Sequence, residues 1–236
     1  MSPTSFHLVV PVYNEAAVIV PTLRELEKVL SGVPKLNYEI IVADNGSTDG
    51  TAEVVISSGF NNVRVILVPG RGKGRAIIHA AQSFDSDVFG FCDADLSADP
   101  SSLPDMLLHI ESGAHVVVGS RLLNERLVKR AFWRTFSSKI FNIARRLILG
   151  IRVADSQCGL KLFKGTHIHL IRDSVETGWF LDMEILARAE RENLTIVEVP
   201  VSWTEYRYED RKSKLKVLRD GFGALIAMVR IRRRLM

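Results

Sequence analysis

The sequence predicts an α/β protein with a mostly parallel sheet and helices on both of its faces. Three observations carry this. Short, almost wholly apolar runs alternate with amphipathic stretches through the first hundred residues, as strands buried on both faces alternate with connecting helices. Cap and turn residues such as Asn14, Ser47, Thr48 and Asp49 punctuate the junctions. The chain has 236 residues, 47% hydrophobic and 25% charged, enough for one large domain with a sizeable core.

Strands are expected at Phe6–Pro11, Tyr38–Ala43, Val63–Leu67 and Val88–Cys92. Helices are expected between them at Glu15–Leu30, Gly50–Ser57 and Gly74–Ser83. The second half is less regular. It reads as a helix at Pro100–Ser112, a short strand at Val116–Gly119, a long basic helix at Leu127–Leu149 and a strand at Leu160–Phe163. A helix at Phe180–Glu192 and a strand at Thr195–Val201 follow. No repeat or low-complexity linker interrupts the pattern. Residues 1–213 are therefore expected to form one domain, and residues 214–236 a basic amphipathic helix.

The net charge of +4 conceals an asymmetry. Residues 121–152 and 211–236 each hold nine Lys/Arg and one acid, which leaves the rest of the chain acidic. Both basic segments also carry large apolar residues, which suits an anionic membrane surface or ligand; solvated helix faces are the plainer reading. In the last segment Leu218, Phe222, Leu225, Ile226 and Val229 recur at helical spacing. Arg219, Arg230, Arg232, Arg233 and Arg234 are placed to meet headgroups. No apolar run reaches the roughly 18 residues of a membrane span, and no signal-type N-terminus is seen. The two cysteines, Cys92 and Cys158, suggest no disulfide framework and fit a reduced, cytoplasmic setting. The six histidines show no metal-ligand spacing.

Three polar segments fall at successive strand exits, where open α/β sheets bind ligands. They are Val10-Pro11-Val12-Tyr13-Asn14-Glu15, Asp44-Asn45-Gly46-Ser47-Thr48-Asp49-Gly50 and Cys92-Asp93-Ala94-Asp95-Leu96. The paired carboxylates Asp93 and Asp95 offer the hard oxygen donors that suit Mg²⁺ or Mn²⁺ alongside substrate phosphates. Gly70-Arg71-Gly72-Lys73-Gly74 lacks the Lys-Ser/Thr pair of a nucleotide-binding P-loop. It reads as a flexible turn with one donor-facing basic residue. Trp179, Phe180, Asp182 and Glu184 open a helix, either as core anchor and helix-dipole partners or on an acceptor side.

Taken in order, these segments resemble the inverting GT-A glycosyltransferases of family two. Gly119-Ser120-Arg121, Asp155-Ser156-Gln157-Cys158-Gly159-Leu160-Lys161-Leu162-Phe163 and Glu198-Val199-Pro200-Val201-Ser202-Trp203 bring the resemblance closer to the polyprenyl (dolichyl) phosphate sugar synthases. The likeness runs from about residue 6 to residue 216. It implies a GT-A fold, a nucleotide-sugar donor, a polyprenyl phosphate acceptor and a divalent metal, Mg²⁺ or Mn²⁺. It places the enzyme peripherally at the cytoplasmic membrane face, with a possible membrane-protein partner and no nucleic acid. Pro11, Tyr13, Asn14, Glu15, Val42 and Asp44 would hold the donor's base and ribose, with Lys73 facing the donor. Asp93, Ala94 and Asp95 would meet the diphosphate, with Asp95 the main metal ligand beside Asp93. Arg121 and Lys214 would contact phosphate, and Gln157 would line the sugar or acceptor site. One of Arg207 and Arg211 would grip the acceptor phosphate.

Two departures matter. Asn45 stands where the family often has a second Asp. Ser97-Ala98 replaces the Gln-His of mannose synthases, and with Gln157-Cys158-Gly159 it tilts the donor from GDP-mannose toward UDP-glucose. A family-two transferase acting on a saccharide hydroxyl is the second enzyme reading. A noncatalytic basic membrane-binding protein is a third, against which the Asp93/Asp95 pair argues.

Overall fold

A computed structural model describes residues 4–123, 128–129, 143–204 and 217–236. Nine strands alternate with eight helices among the described residues, in the α/β arrangement the sequence predicts. Strand β1 (Thr4–Val12) leads through helix α1 (Ile19–Ser31) to β2 (Leu36–Asp44). Helix α2 (Thr51–Ser57), β3 (Val63–Leu67), α3 (Lys73–Ser83) and β4 (Val88–Phe91) follow. A 3₁₀ turn then runs into α4 (Leu103–Glu111) and β5 (Val116–Ser120). Beyond β6 (Val128–Lys129), residues 143–149 form α5. The chain continues as β7 (Lys161–Lys164), α6 (His169–Arg172), α7 (Leu181–Arg191), β8 (Ile196–Pro200), β9 (Trp203–Thr204) and α8 (Val217–Leu235).

Seven strands form one sheet in the order β3-β2-β1-β4-β7-β5-β8. All neighbours are parallel except β7, which runs antiparallel to β4 and β5. Strands β6 and β9 pair separately. Period-two alternation divides the core. Phe6, Leu8, Val10 and Val12 of β1 pack on one face with Leu23 and Leu26 of α1 and with Met106 and Ile110 of α4. Val9, Phe89 and Phe91 pack on the other with Ala76 and Ala80 of α3, Ile185 and Leu186 of α7 and Met228 and Ile231 of α8. Each such side chain contributes about 1.5–3 kcal/mol when fully buried, so both faces are strongly specified.

The expected helix Glu15–Leu30 begins later, at Ile19. Asn14 takes a left-handed φ of 55°, which is not helical, and the Glu15 backbone N–H, which a helix start leaves without an internal partner, goes to Thr51 Oγ1. The expected helix Leu127–Leu149 is helical over 143–149, whereas Val128–Lys129 is strand; the remainder lies outside the described residues.

No helix among the described residues is long and apolar enough to cross a membrane. One face of α8 packs on the body through Ala224, Ala227, Met228 and Ile231. Leu225, Ile226 and Val229 remain exposed beside Arg233. The arginines of this helix depart from the expected headgroup-facing array. Arg230 and Arg234 both bond the carboxylate of Glu176, and Arg232 donates to the Ile148 carbonyl. The side chains of Leu218, Arg219 and Phe222 lie outside the described residues.

Candidate active site

The site forms at the carboxyl edge of β1, β2 and β4. The first two exits are stitched together by side-chain caps. Asp44 Oδ1 accepts from the Gly46 and Ser47 N–H groups at 3.1 and 2.8 Å. Asn14 Oδ1 accepts from Thr48 N–H at 2.8 Å, and Ser47 Oγ accepts from Asn14 N–H at 2.9 Å. Asp49 closes the junction by accepting from the Ala16 and Thr51 N–H groups. Asn45 donates to the Val12 carbonyl at 2.8 Å and accepts from Gly72 N–H at 3.1 Å. An amide can do both; a carboxylate could not donate. This explains why position 45 tolerates the loss of charge.

The glycine-rich turn packs closely against the segment that precedes α7. A Cβ at Gly72 or Gly74 would collide with backbone atoms of residues 176–178, and Arg75 N–H donates to the Thr177 carbonyl at 2.9 Å. Small residues here let the 176–178 loop seat on the first turn of α3. That contact delivers Lys73 to the centre, where its Nζ lies 2.7 Å from Asp93 Oδ1. Burial would lower the Lys73 pKa, but Asp93 and then Asp182 outweigh it and hold the ammonium charged. Trp179 lies within cation–π reach of Lys73, at 5.5 Å.

Asp93 and Asp95 are both partly exposed and flank buried Ala94. Leu96 turns left-handed at φ 46°, and Asp95 Oδ1 accepts from Ser97 N–H at 3.0 Å. Gly159 backs directly onto Asp93, where any Cβ would strike the carboxylate. The segment 155–159 is thereby brought beside the acidic pair, with Gln157 exposed on it. Two carboxylates on one loop, in space that Gly159 leaves open, make a donor set of the kind that holds Mg²⁺ or Mn²⁺.

Arg121 is clamped by Asp155 through two guanidinium bonds of 2.6 and 2.7 Å, and its own N–H donates to the same carboxylate. Burial would raise the Asp155 pKa, but the Arg121 bonds prevail and hold it below the ordinary 3.8. Glu198 fixes this segment by accepting from the Ala154 and Asp155 N–H groups at 2.7 and 3.0 Å. Arg145, part of the basic stretch expected to face outward, is buried and donates to the carbonyls of Ile151, Val153 and Ala154.

Pro11 and Tyr13 border the first exit, and Arg71 stacks over the Tyr13 ring at 4.7 Å. Glu15 and Asp44 are buried beneath it. Val42, two residues before Asp44 on β2, has no exposed surface and its side chain belongs to the core. Arg207, Arg211 and Lys214 lie outside the described residues.

Sequence reasoning missed the pairing beneath the site. Lys161, fully buried, places Nζ 2.5 Å from Asp182 Oδ1 and donates also to the Cys158 carbonyl. A charged residue inside the apolar strand Leu160–Phe163 was the available signal, since buried lysines need a partner. Glu184 is also engaged: it accepts from the Val175 and Glu176 N–H groups and from Arg188. Both carboxylates are structural as well as lying in the first turn of α7. Cys92 and Cys158 are buried free thiols; burial pushes Cys158 up to about 11, which makes it inert.

A mostly parallel sheet carrying an Asp-x-Asp at its central strand exit, with capped turns on the neighbouring exits and basic side chains around them, is the arrangement of a GT-A fold. Residues 7–169 match glycosyl transferase family 2. The glycosyltransferase AglD of Haloferax volcanii is 33% identical over 222 residues, covering 92% of this chain and 35% of AglD. Dolichyl-phosphate β-glucosyltransferases of Drosophila melanogaster and Homo sapiens are each 32% identical; the chain covers 66% and 69% of their lengths. A crystal structure of glucosyl-3-phosphoglycerate synthase from Mycobacterium tuberculosis, with Mn²⁺, UDP and glucosyl-3-phosphoglycerate, superposes with a TM-score of 0.70. It is 22% identical and covers 97% of this chain and 80% of that one. The chain belongs to glycosyl transferase family 2, in the branch of the dolichyl-phosphate sugar synthases. It spans about a third of AglD and about two thirds of the Drosophila relative.

Proposed function

We propose that this protein transfers glucose from UDP-glucose to a polyprenyl phosphate with inversion, giving a β-linked polyprenyl-phosphate glucose. The observation that carries this reading is that the carboxylates around the site already have partners. Asp93 faces Lys73, Asp155 faces Arg121, Asp182 faces Lys161, and Glu184 is held by backbone and Arg188. A hydroxyl acceptor needs a general base as it attacks. A phosphate monoester, with a second pKa of about 6, arrives largely ionised and needs cations instead. One of its oxygens attacks the anomeric carbon from the face opposite the nucleotide. The carbon–oxygen bond to the diphosphate breaks, and UDP leaves with the electron pair. No proton must move.

Asp93 and Asp95 are the residues that would hold Mg²⁺ or Mn²⁺, which supplies charge to offset the departing diphosphate. Lys73 supports Asp93, Arg121 meets phosphate while Asp155 fixes its plane, and Gln157 faces the sugar. Tyr13, Asn14, Glu15 and Asp44 form the nucleotide end. Similarity to the dolichyl-phosphate β-glucosyltransferases favours glucose over mannose. The acceptor argues for a peripheral position at an anionic membrane, and the exposed Leu225, Ile226 and Val229 beside Arg233 suit that surface.

The test is donor choice. Purified chain with Mn²⁺ and dolichyl phosphate should convert UDP-glucose to a single, mild-acid-labile glucolipid and should use GDP-mannose poorly. Efficient transfer from GDP-mannose with none from UDP-glucose would overturn the donor assignment.

A further inference from the structure

Three histidines and a carboxylate gather at the edge of the sheet opposite the site. His115 immediately precedes β5, whose far end leads into Arg121. At about 3.3 Å per residue, the five residues of β5 separate the two edges by about 16 Å. Antiparallel β7 ends on the same edge, so His167 and His169 follow it there, and Glu192 arrives as the residue closing α7. The motif escapes the sequence because its members come from two separate turns.

One ligand-capable atom from each of His167, His169 and Glu192 lies within 4.8 Å of the others. His169 Nε2 is 2.9 Å from Glu192 Oε2. His167 Nδ1 is buried and has no hydrogen-bond partner among the described residues. Such an orphan nitrogen calls for an occupant. His115 packs edge-on against the His167 ring, with centroids 4.7 Å apart. Its Nδ1 accepts from Thr195 N–H at 2.9 Å, which leaves its proton on Nε2 and makes it a wall of the site, not a ligand.

We propose that His167, His169 and Glu192 bind a Zn²⁺-class cation, with water completing its coordination. Two imidazoles and one carboxylate suit Zn²⁺, Co²⁺ or Ni²⁺, whereas the all-oxygen pair Asp93/Asp95 suits Mg²⁺ or Mn²⁺. The two sites are therefore chemically distinct. The ion would tie the turn after β7 and the start of α6 to the end of α7, which carries Asp182 and Glu184 at its other end. Its role is structural, because the reaction edge lies across the sheet.

Untagged full-length chain, stripped with chelator, should be titrated with Zn²⁺ by calorimetry and with Co²⁺ by visible absorption. One ion should bind the wild type and Asp95→Asn alike. His167→Ala and the conservative surface change Glu192→Gln should each weaken binding by about tenfold or more. Circular dichroism on Glu192→Gln checks that the fold is intact. No binding by the wild type, binding unchanged in both variants, or binding lost in Asp95→Asn would each overturn the assignment.

Discussion

Lys73 Nζ, at the first turn of α3, lies 2.7 Å from Asp93 Oδ1 at the exit of β4. The ammonium offsets the charge of one acid, so Asp95 is the carboxylate left to do most of the work on a cation. Asp95→Ala should lower kcat about a thousandfold at saturating metal, since charge stabilisation at a departing diphosphate is worth several kcal/mol. Circular dichroism should stay unchanged. A variant retaining more than about a tenth of the wild-type rate would remove Asp95 from this role.

The buried pair Lys161–Asp182 holds β7 to α7 beneath the site. Lys161→Met strands the Asp182 charge in a buried setting and should cost about 3–5 kcal/mol in denaturant unfolding. Adding Asp182→Leu should restore most of that loss, because an apolar pair of similar volume needs no counter-charge. A single-variant cost below about 1 kcal/mol would show that the pair is solvated.

The Arg121–Asp155 clamp sets a pH signature. Asp155 titrates below 3.8 when folded and near 3.8 when unfolded. Its contribution is thus fully present above that value and is lost as pH falls through the lower folded pKa. The melting-temperature difference between wild type and Asp155→Asn should be level from neutral pH down to about pH 5 and should shrink below about pH 4. A difference that grows in acid would contradict the sign.

Much of this was legible in the sequence, and the rest shows where sequence reasoning stops. The strands and the Asp93-Ala94-Asp95 exit follow from apolar runs and their punctuation, because both are local. The bond from the Glu15 N–H to Thr51, ahead of α1, spans 36 residues and has no local signature. The family resemblance implied a donor contact for Val42, whose side chain lies in the core of a strand buried on both faces from Ile40 to Asp44. Asp155 and Glu198 sat inside quoted motifs, but that one clamps Arg121 and the other fixes the clamp is a fact of β5 pairing with β8. Likewise, composition marked the last helix as basic without revealing that Glu176 holds Arg230 and Arg234.

That division among arginines gives a prediction for membrane binding. Arg233→Ala should weaken binding to anionic vesicles by about 1 kcal/mol, roughly fivefold, and more so at low salt. Arg230→Ala breaks its bond to buried Glu176 and should lower the melting temperature as well. Leu225→Ser with Ile226→Ser should reduce binding to neutral and anionic vesicles together, measured by cosedimentation. Salt-insensitive binding unaffected by Arg233→Ala would sink the electrostatic part.

The central claim is that the site takes an already ionised acceptor and so needs no base. The most direct measurement offers one sample of enzyme, Mn²⁺ and labelled UDP-glucose either a polyprenyl phosphate or the same polyprenol without its phosphate. The account predicts glucolipid from the phosphate alone, at a rate nearly constant above the phosphate's second pKa of about 6 and falling below it. Comparable transfer to the polyprenol, or to a soluble sugar hydroxyl while the lipid phosphate is ignored, would contradict it.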